Sequence, residues 1–585
     1  MDYQLIKSPF QYPEGTLDIV EELLTNRGIN LNNINHYLNT TDEDIIDPSI
    51  IMNIREGAKM FITHIHKGDK VLVQIDSDAD GFTSAALLLN YLNCLFPAFV
   101  RNNISYRLHT GKQHGIVLEE VPEDVKLVIA PDSSSNDYEV HAALAARGVD
   151  VLVIDHHEAE KISEHACIIN NQLCDYPTKS LSGVGMVYKF CSYIDQLLKT
   201  DYANQFLDLV SAGIVADMMD LKDFETRHLV VSGLKQIRNP YLKGMTDTNE
   251  YSISKGGGLN PFTVAFYIAP YINATIRVGT QDEKLMLFES MLDYRGYELI
   301  PSTKRGCKGQ VETRVEQACR NCINIKKRQT NARDTSLNII EQVIKERNLL
   351  SHKLLIIQVE DVDKNLTGLI ANELASKYQR PTLLLNKRIN EEGVISWEGS
   401  GRNYSNSPIE SFRELLLETG YAMYSEGHGS AFGFGVLDSN FDKLVQHTDE
   451  LLADFDFSPC YTVDKIFYSG NFNPNIILKI AELKAIWGQG LEEPLIALEQ
   501  LNLNGCRIDL MSRDKNPTLK LTLPNGMSLI KFGSSEEEYD KLINSDFNCV
   551  NVNIIGKCDK NEWNGNIKPQ ITIEDYEIVA KKYIF

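Results

Sequence analysis

Four stretches place metal-binding side chains where apolar runs stop. VLVQI (71–75) gives way to DSDADG, which sets Asp76, Asp78 and Asp80 ahead of Gly81. KLVIA (126–130) gives way to PDSSS with Asp132, and VLVI (151–154) to Asp155, His156 and His157. SAGIVADMMD (211–220) carries Asp217 at the end of an apolar helical stretch. Carboxylates and imidazoles at the ends of core elements are expensive to bury unless something binds them. Taken singly, each has an ordinary reading, as a solvated Asp turn or as a helix N-cap. The Asp-x-Asp-x-Asp-Gly spacing also echoes a calcium loop, but Leu87 stands where the twelfth-position Glu belongs. Together the ordinary readings require three coincidences at three strand ends. A mixed carboxylate and imidazole set suits Mn2+ or Mg2+ better than zinc. Two such ions can activate a water and neutralise charge at a phosphorus centre, with a carboxylate bridging them.

Elements that could position these groups are legible from the hydrophobic pattern. The three apolar runs alternate with helical segments near Thr83–Asn93 and Tyr138–Arg147, which indicates a doubly wound, mostly parallel sheet. In such sheets ligands sit at the carboxyl ends of the strands, so the three acidic loops converge on one crevice. Helical periodicity returns over 183–238 and over 280–350. A second α/β unit follows, with LLIIQV (354–359), a helix over Leu366–Tyr378, TLLL (382–385) and VISWE (394–398). After Cys460 about five short strands with polar turns suit a small barrel of the OB type. The expected division is a helical segment 1–60, a catalytic α/β domain 61–240, a helical connector 241–350, a second α/β domain 351–455 and a β domain 456–585.

Composition narrows the class of protein. A net charge of −22 argues against bulk coating of nucleic acid, yet it permits a local basic channel, and carboxylates that hold a divalent ion do not repel phosphate once loaded. No apolar run reaches membrane-spanning length, and MDYQLIKSPF lacks the features of a secretory signal, so a cytoplasmic protein with no membrane association is expected. Eleven cysteines, odd in number and scattered, argue against a disulfide framework. Cys307, Cys319 and Cys322 lack a fourth zinc ligand near by, and the last two read as helix-face residues. Gly111–Lys112 is no Walker motif, because Tyr106 stands where its first Gly belongs.

The constellation resembles the DHH phosphoesterase superfamily, whose name is the triplet found here at residues 155–157. Within it, SGVGMVYKF (182–190), IAPYINATIRVG (268–279), GLIANELASKYQRPTLLL (368–385), GSGRNYS (399–405), EGHGSAFGFGV (426–436) and GQGLEEPLIA (488–497) are similar to the RecJ-type single-strand exonucleases. The resemblance implies a DHH catalytic domain, a long connecting helix, a DHH-associated α/β domain and an OB-like domain. It implies two divalent ions, Mn2+ or Mg2+, on Asp76, Asp78, Asp80, Asp132, His156 and Asp217, with Asp132 bridging. Asp155 and His157 serve the ligands or face phosphate. Arg277, Arg380, Ser400, Arg402 and His428 are implied as contacts to the DNA backbone, Arg402 also stabilising charge at the reacting phosphate. SYRLHTGKQHG (105–115) matches the DNA-facing loop only loosely and adds Arg107 and His114. Two departures are Glu426, within a usual glycine pair, and Ile276, in place of a small residue.

The activity so implied is removal of 5′-mononucleotides from the 5′ end of single-stranded DNA, by a monomer that a single-strand-binding protein could recruit. A hydrolase of short oligonucleotides or cyclic dinucleotides is the alternative, against which the length past Cys460 argues. An inactive DNA-binding scaffold conflicts with the intact ligand set. A pyrophosphatase conflicts with so much additional nucleic-acid architecture.

Overall fold

The computed structural model describes the chain except residues 14, 111–112, 361, 406, 459, 470–471, 513–516, 544–549, 564 and 582–585. It forms two compact units. One comprises Ile6–Lys326 and Asp464–Phe585, the other Met1–Leu5 and Lys327–Val463. These cuts differ from the five segments expected from sequence, because side-chain packing joins pieces far apart in the chain.

In the larger unit, five parallel strands run in the order Ile104–Leu108, Lys70–Ile75, Val125–Pro131, Asp150–Asp155, Cys167–Asn170. Every strand points the same way, so their carboxyl ends lie along one edge. The strand order reverses between Lys70–Ile75 and Val125–Pro131, which opens a crevice there. Alternation along each strand feeds two cores. Val71, Val73, Leu127, Ile129, Leu152 and Ile154 pack under the helices Ala79–Leu95, Gly183–Leu198 and Leu207–Ala216. Leu72, Val128, Ala130, Val151 and Val153 pack on the opposite face with Leu144. Asp78 starts the Ala79–Leu95 helix by accepting from the Gly81 amide at 2.9 Å, an N-cap that leaves the neighbouring acids at the sheet edge.

The C-terminal β region of this unit is one seven-stranded sheet, ordered Lys465–Tyr468, Leu495–Asn502, Val550–Trp563, Asn566–Lys581, Ser528–Phe532, Thr518–Thr522, Arg507–Met511. Sequence patterning anticipates five of these strands. Its core includes Leu23, Leu24, Ile34 and Tyr37 from the N-terminal helices, alongside Ile477, Ile480 and Trp487. Arg27 fastens the same segment to Asp464, Nη2 donating to Oδ2 at 2.9 Å. The N-terminal helices therefore belong to the β region's core.

The 33-residue helix Arg314–Glu346 begins in the larger unit and ends in the smaller one. Within the stretch read as a largely helical connector, a short hairpin pairs Leu299–Pro301 with Val311–Thr313. Cys319 and Cys322 are buried on the long helix, and Cys322 Sγ accepts from Thr275 Oγ1 at 3.2 Å. In the smaller unit the sheet order is Ala422–His428, Ala431–Leu437, Ile395–Arg402, Thr382–Ile389, Leu355–Val359. Only its last pair is parallel. Asp2–Leu5 pairs in parallel with Cys460–Val463 as a separate two-stranded sheet of the same unit.

Candidate metal centre

All four acidic stretches meet at the carboxyl edge of the parallel sheet. Asp76, Asp80, Asp132 and Asp155 are at most 2% exposed, and His156 is 9% exposed. Ligand atoms gather in overlapping sets within 4.8 Å of one another: Asp80, His156 and Asp217; Asp76, Asp78 and Asp132; and Asp132 with Asp155, His156 and His157. His156 Nε2 lies 3.3 Å from Asp132 Oδ1, 3.5 Å from Asp217 Oδ2 and 4.0 Å from Asp80 Oδ2.

Hydrogen bonding divides these residues into two kinds. Asp155 is saturated: it accepts from the Ser135 amide at 3.1 Å, the His156 amide at 2.8 Å and His157 Nδ1 at 2.8 Å. Asp80 accepts from Ser182 Oγ at 3.0 Å, the Gly183 amide at 2.6 Å and the Val184 amide at 3.2 Å. By contrast, both carboxylate oxygens of Asp132 and Nε2 of His156 are buried and make no hydrogen bond. Buried polar atoms are almost always satisfied, so acceptors left open at one point fit a bound cation. Asp132 also sits at φ +68° while its amide bonds the Ile154 carbonyl at 2.8 Å, a conformation that turns the carboxylate into the crevice. A Cβ on Gly183 would lie 2.2 Å from Asp132 Oδ1, so only glycine clears this space.

Proton affinities agree with that division. Burial, then the charges of Asp80 and Asp78, push Asp217 up to about 8. The same causes raise Asp132 well above the carboxylate range. So many carboxylates cannot all ionise together in a dry cleft without a counter-charge. Burial, and then His157, lower His156 to about 4, which leaves its imidazole neutral. His157 is raised to about 9 by its hydrogen bond to Asp155 and so carries a proton. Burial opposes ionisation of Asp155, yet the bonds and charge of His157 outweigh it and hold this carboxyl below its usual range.

Three contributors are weakly signalled in the sequence: His109, Gly183 and a distant turn. Asp76 is held by His114, Nδ1 to Oδ2 at 2.9 Å, and approached by the buried His109 at 3.6 Å. His109 lies two residues past Arg107 in the loop that already drew attention, and its buried position carries no periodic signature. Gly183 reads as an ordinary helix residue until its neighbour is known. The third contributor is the turn at Gln489–Gly490. Gln489 accepts the Leu221 amide at 2.9 Å, and Gly490 packs at φ +74° against Asp220, bracing the loop behind Asp217.

The residues read as DNA contacts fall into separate places. Arg277 is exposed at the end of the Ala269–Val278 helix. Arg107 pairs with Glu120 at 3.0 Å, and both side chains are solvated. In the smaller unit, Arg402, Ala431 and His428 form one row across three strands, and Thr382 faces Arg402 from the fourth. Ser400 is two residues from Arg402 on the same strand and bonds Thr367 at 2.9 Å. Arg380 donates to the His352 carbonyl just before Thr382. A Cβ on Gly368 would meet Arg402 Nη2 at 2.6 Å, so this glycine makes room for the guanidinium. Gly111–Lys112 lies outside the described residues.

An all-parallel sheet edged with this acid–imidazole set, joined to a separate β region, defines a DHH-type phosphoesterase core. Residues 70–214 match the DHH family, N-terminal domain, and residues 463–575 match the RecJ OB domain. The chain belongs to the DHH family and, within it, to the RecJ type. YorK, a protein of SPbeta prophage origin in Bacillus subtilis strain 168, is 36% identical over all of this chain and 99% of its own length. The single-stranded-DNA-specific exonuclease RecJ of the same strain is 26% identical over 95% of this chain and 67% of its own length. The crystal structure of RecJ from Thermus thermophilus in complex with Mn2+ shares the fold, with a TM-score of 0.69 at 19% identity over 96% of this chain and 78% of that one. Among the described residues no helix is long and apolar enough to cross a membrane.

Proposed function

We propose that the chain is a two-metal phosphodiesterase that shortens single-stranded DNA from its 5′ end to 5′-mononucleotides, in DNA repair, recombination or replication. The observation that carries this reading is the open acceptor set at Asp132 and His156, where two ligand groups meet. Asp80, His156 and Asp217 would hold one Mn2+ or Mg2+ and Asp76, Asp78 and Asp132 the other, with Asp132 shared. Bound there, the pair supplies activation of a water and neutralisation of charge on the phosphate oxygens.

The chain's own groups supply the rest. Asp155 accepts from the His156 and His157 amides and from His157 Nδ1, which anchors the backbone that carries His156, while His156 Nε2 faces Asp132 Oδ1 at 3.3 Å. His157 holds a proton at Nε2, because Nδ1 is committed to Asp155, and offers it to a phosphate oxygen. Arg277, Arg380, Ser400, Arg402, His428 and Arg107 are assigned to the DNA backbone. The row that joins Arg402 to His428, with Ser400 two residues along the same strand, supports three of these as one anion-binding patch. The RecJ-type relatives and the OB-domain match support single strands as substrate. A cytoplasmic monomer recruited by a single-strand-binding protein completes the reading.

The test uses single-stranded DNA labelled at either end, with Mn2+ or chelator, and wild type beside Asp217→Ala. Mononucleotides should leave first from the 5′-labelled end, only with metal, and not with the variant. Loss of the 3′ label first, or activity in chelator, would overturn the reading. Cleavage of dinucleotides with 30-mers untouched would favour the short-oligonucleotide alternative.

A further inference from the structure

The five-stranded sheet of the smaller unit ends at Leu355–Val359, which pairs with Thr382–Ile389 on one side only. The Leu355 amide donates to the Pro381 carbonyl at 2.9 Å. By the alternation of a parallel ladder, Leu355, Ile357 and Val359 therefore bond inward, and Ile356 and Gln358 turn their N–H and C=O groups outward. Among the described residues none of those outward groups has a hydrogen-bond partner.

Native sheets blunt such an edge with a charge, a proline, a bulge or a cover. The opposite edge of this sheet, Ala422–His428, has a bulge between Ala422 and Tyr424 and carries Glu426. In the larger unit the uncharged edge strand Cys167–Asn170 is covered, Asn53 Nδ2 donating to the Ile168 carbonyl at 2.9 Å. LIIQV (355–359) has no charge, proline or bulge. Instead a groove of about 490 Å³ runs beside it, walled by Leu354, Ile356 and Gln358 and by Phe441, Asp442 and Val445 of the helix Asp438–Leu451.

Charge selects the occupant. Asp442 is exposed and has no partner among the described residues, and Glu450 on the same rim accepts from Gln446 Nε2 at 3.0 Å. Asp449 between them is committed to His352 and the Lys353 amide. Arg347 is the cation set against these acids. A second copy paired edge to edge would bring acid against acid, on chains that each carry −22. Eight helical residues separate Asp442 from Glu450 by about 12 Å. In an extended strand, residues four apart share a face and lie ~13 Å apart.

We propose that the open edge at Ile356 and Gln358 takes up an extended segment of a partner protein as a sixth strand, with basic residues four apart facing Asp442 and Glu450. Backbone pairing supplies the affinity and the two acids the selectivity. The docking surface is independent of the metal centre and of the nuclease reading.

The probe is a fluorescent peptide, TVKTVTKVT, titrated with the full chain by anisotropy. Saturable binding is expected, and replacing both lysines by glutamate should weaken it roughly tenfold or more. N-methylation of one alternate set of its amides should abolish binding while methylation of the other set is tolerated, since only every second amide faces the sheet. Gln358→Pro, which removes an outward N–H and no sheet bond, should weaken binding by a similar factor. Asp442→Lys with Glu450→Lys should exchange the preference to the glutamate peptide, a result that misfolding cannot produce. Absence of saturable binding below about 1 mM, equal loss from both methylated sets, or binding indifferent to Gln358→Pro would overturn the proposal. A dimer in sedimentation that Gln358→Pro disperses would also overturn it, giving the edge to a second copy.

Discussion

At the scale of single residues, the centre is a set of charges assembled against their own preference. Asp132 and Asp217 both bind protons more tightly in the fold than in the unfolded chain. Between the ordinary carboxylate range and about pH 8 the folded, metal-free protein therefore holds more protons than the unfolded one, so its stability falls as pH rises through that window. His157, raised to about 9, extends the decline in the same direction above pH 6.5. Thermal melts in chelator should show the midpoint dropping from pH 6.5 to pH 8, above the range in which the lowered His156 acts in the opposite sense, and added Mn2+ should restore more of it at pH 8 than at pH 6.5. Titration calorimetry in buffers of different ionisation enthalpy should record proton release on Mn2+ binding. Asp132→Asn separates stability from function. Removing one like charge should raise the melting temperature in chelator, while Mn2+ affinity collapses and kcat falls on the order of 10³-fold. An unchanged melting temperature would mean that the carboxylates do not repel one another as their geometry implies.

At the scale of elements, two glycines do work that propensity opposes. Gly183 opens a helix whose interior favours alanine, yet a Cβ there would intrude on Asp132 Oδ1. Gly183→Ala should leave the far-ultraviolet circular dichroism unchanged and lower Mn2+ affinity by about 10–100-fold, the range for residues that position ligands. Gly490→Val should act at longer range. A branched residue at φ +74° beside Asp220 would dislodge the turn that braces the loop after Asp217. Its expected signature is weaker Mn2+ binding with the DNA-binding constant in chelator little changed. These positions also mark how far the sequence is readable. Asp76, Asp132 and Asp155 announce themselves because each ends an apolar run, and a parallel sheet gathers strand ends by construction. Asp217 follows the same logic at a helix end. Gly183, His109 and the Gln489–Gly490 turn do not, because their meaning lies in neighbours tens to hundreds of residues away. Nor does patterning show that Leu23 and Tyr37 fill the core of a β region that starts more than four hundred residues later.

At the scale of the molecule, the chain passes between its two compact units three times, after Leu5, after Lys326 and after Val463. Trimming residues 1–5 should therefore lower the melting transition of the 327–463 unit and spare metal binding. Differential scanning calorimetry with and without Mn2+ tells the two transitions apart, since only the unit with the metal centre gains stability from the ion. Shared loss across both transitions would show that they do not melt independently. The strand Asp2–Leu5 also has a consequence for biosynthesis. It is made well before its partner Cys460–Val463, and the core that Leu23 and Tyr37 complete is finished later still. Nascent chains usually consolidate from the front, but here an early strand must wait unpaired while more than four hundred residues are translated. A slow-growing ribosome thus exposes an open β-edge and an apolar helix for longest, and chaperone demand should track elongation rate more than final stability.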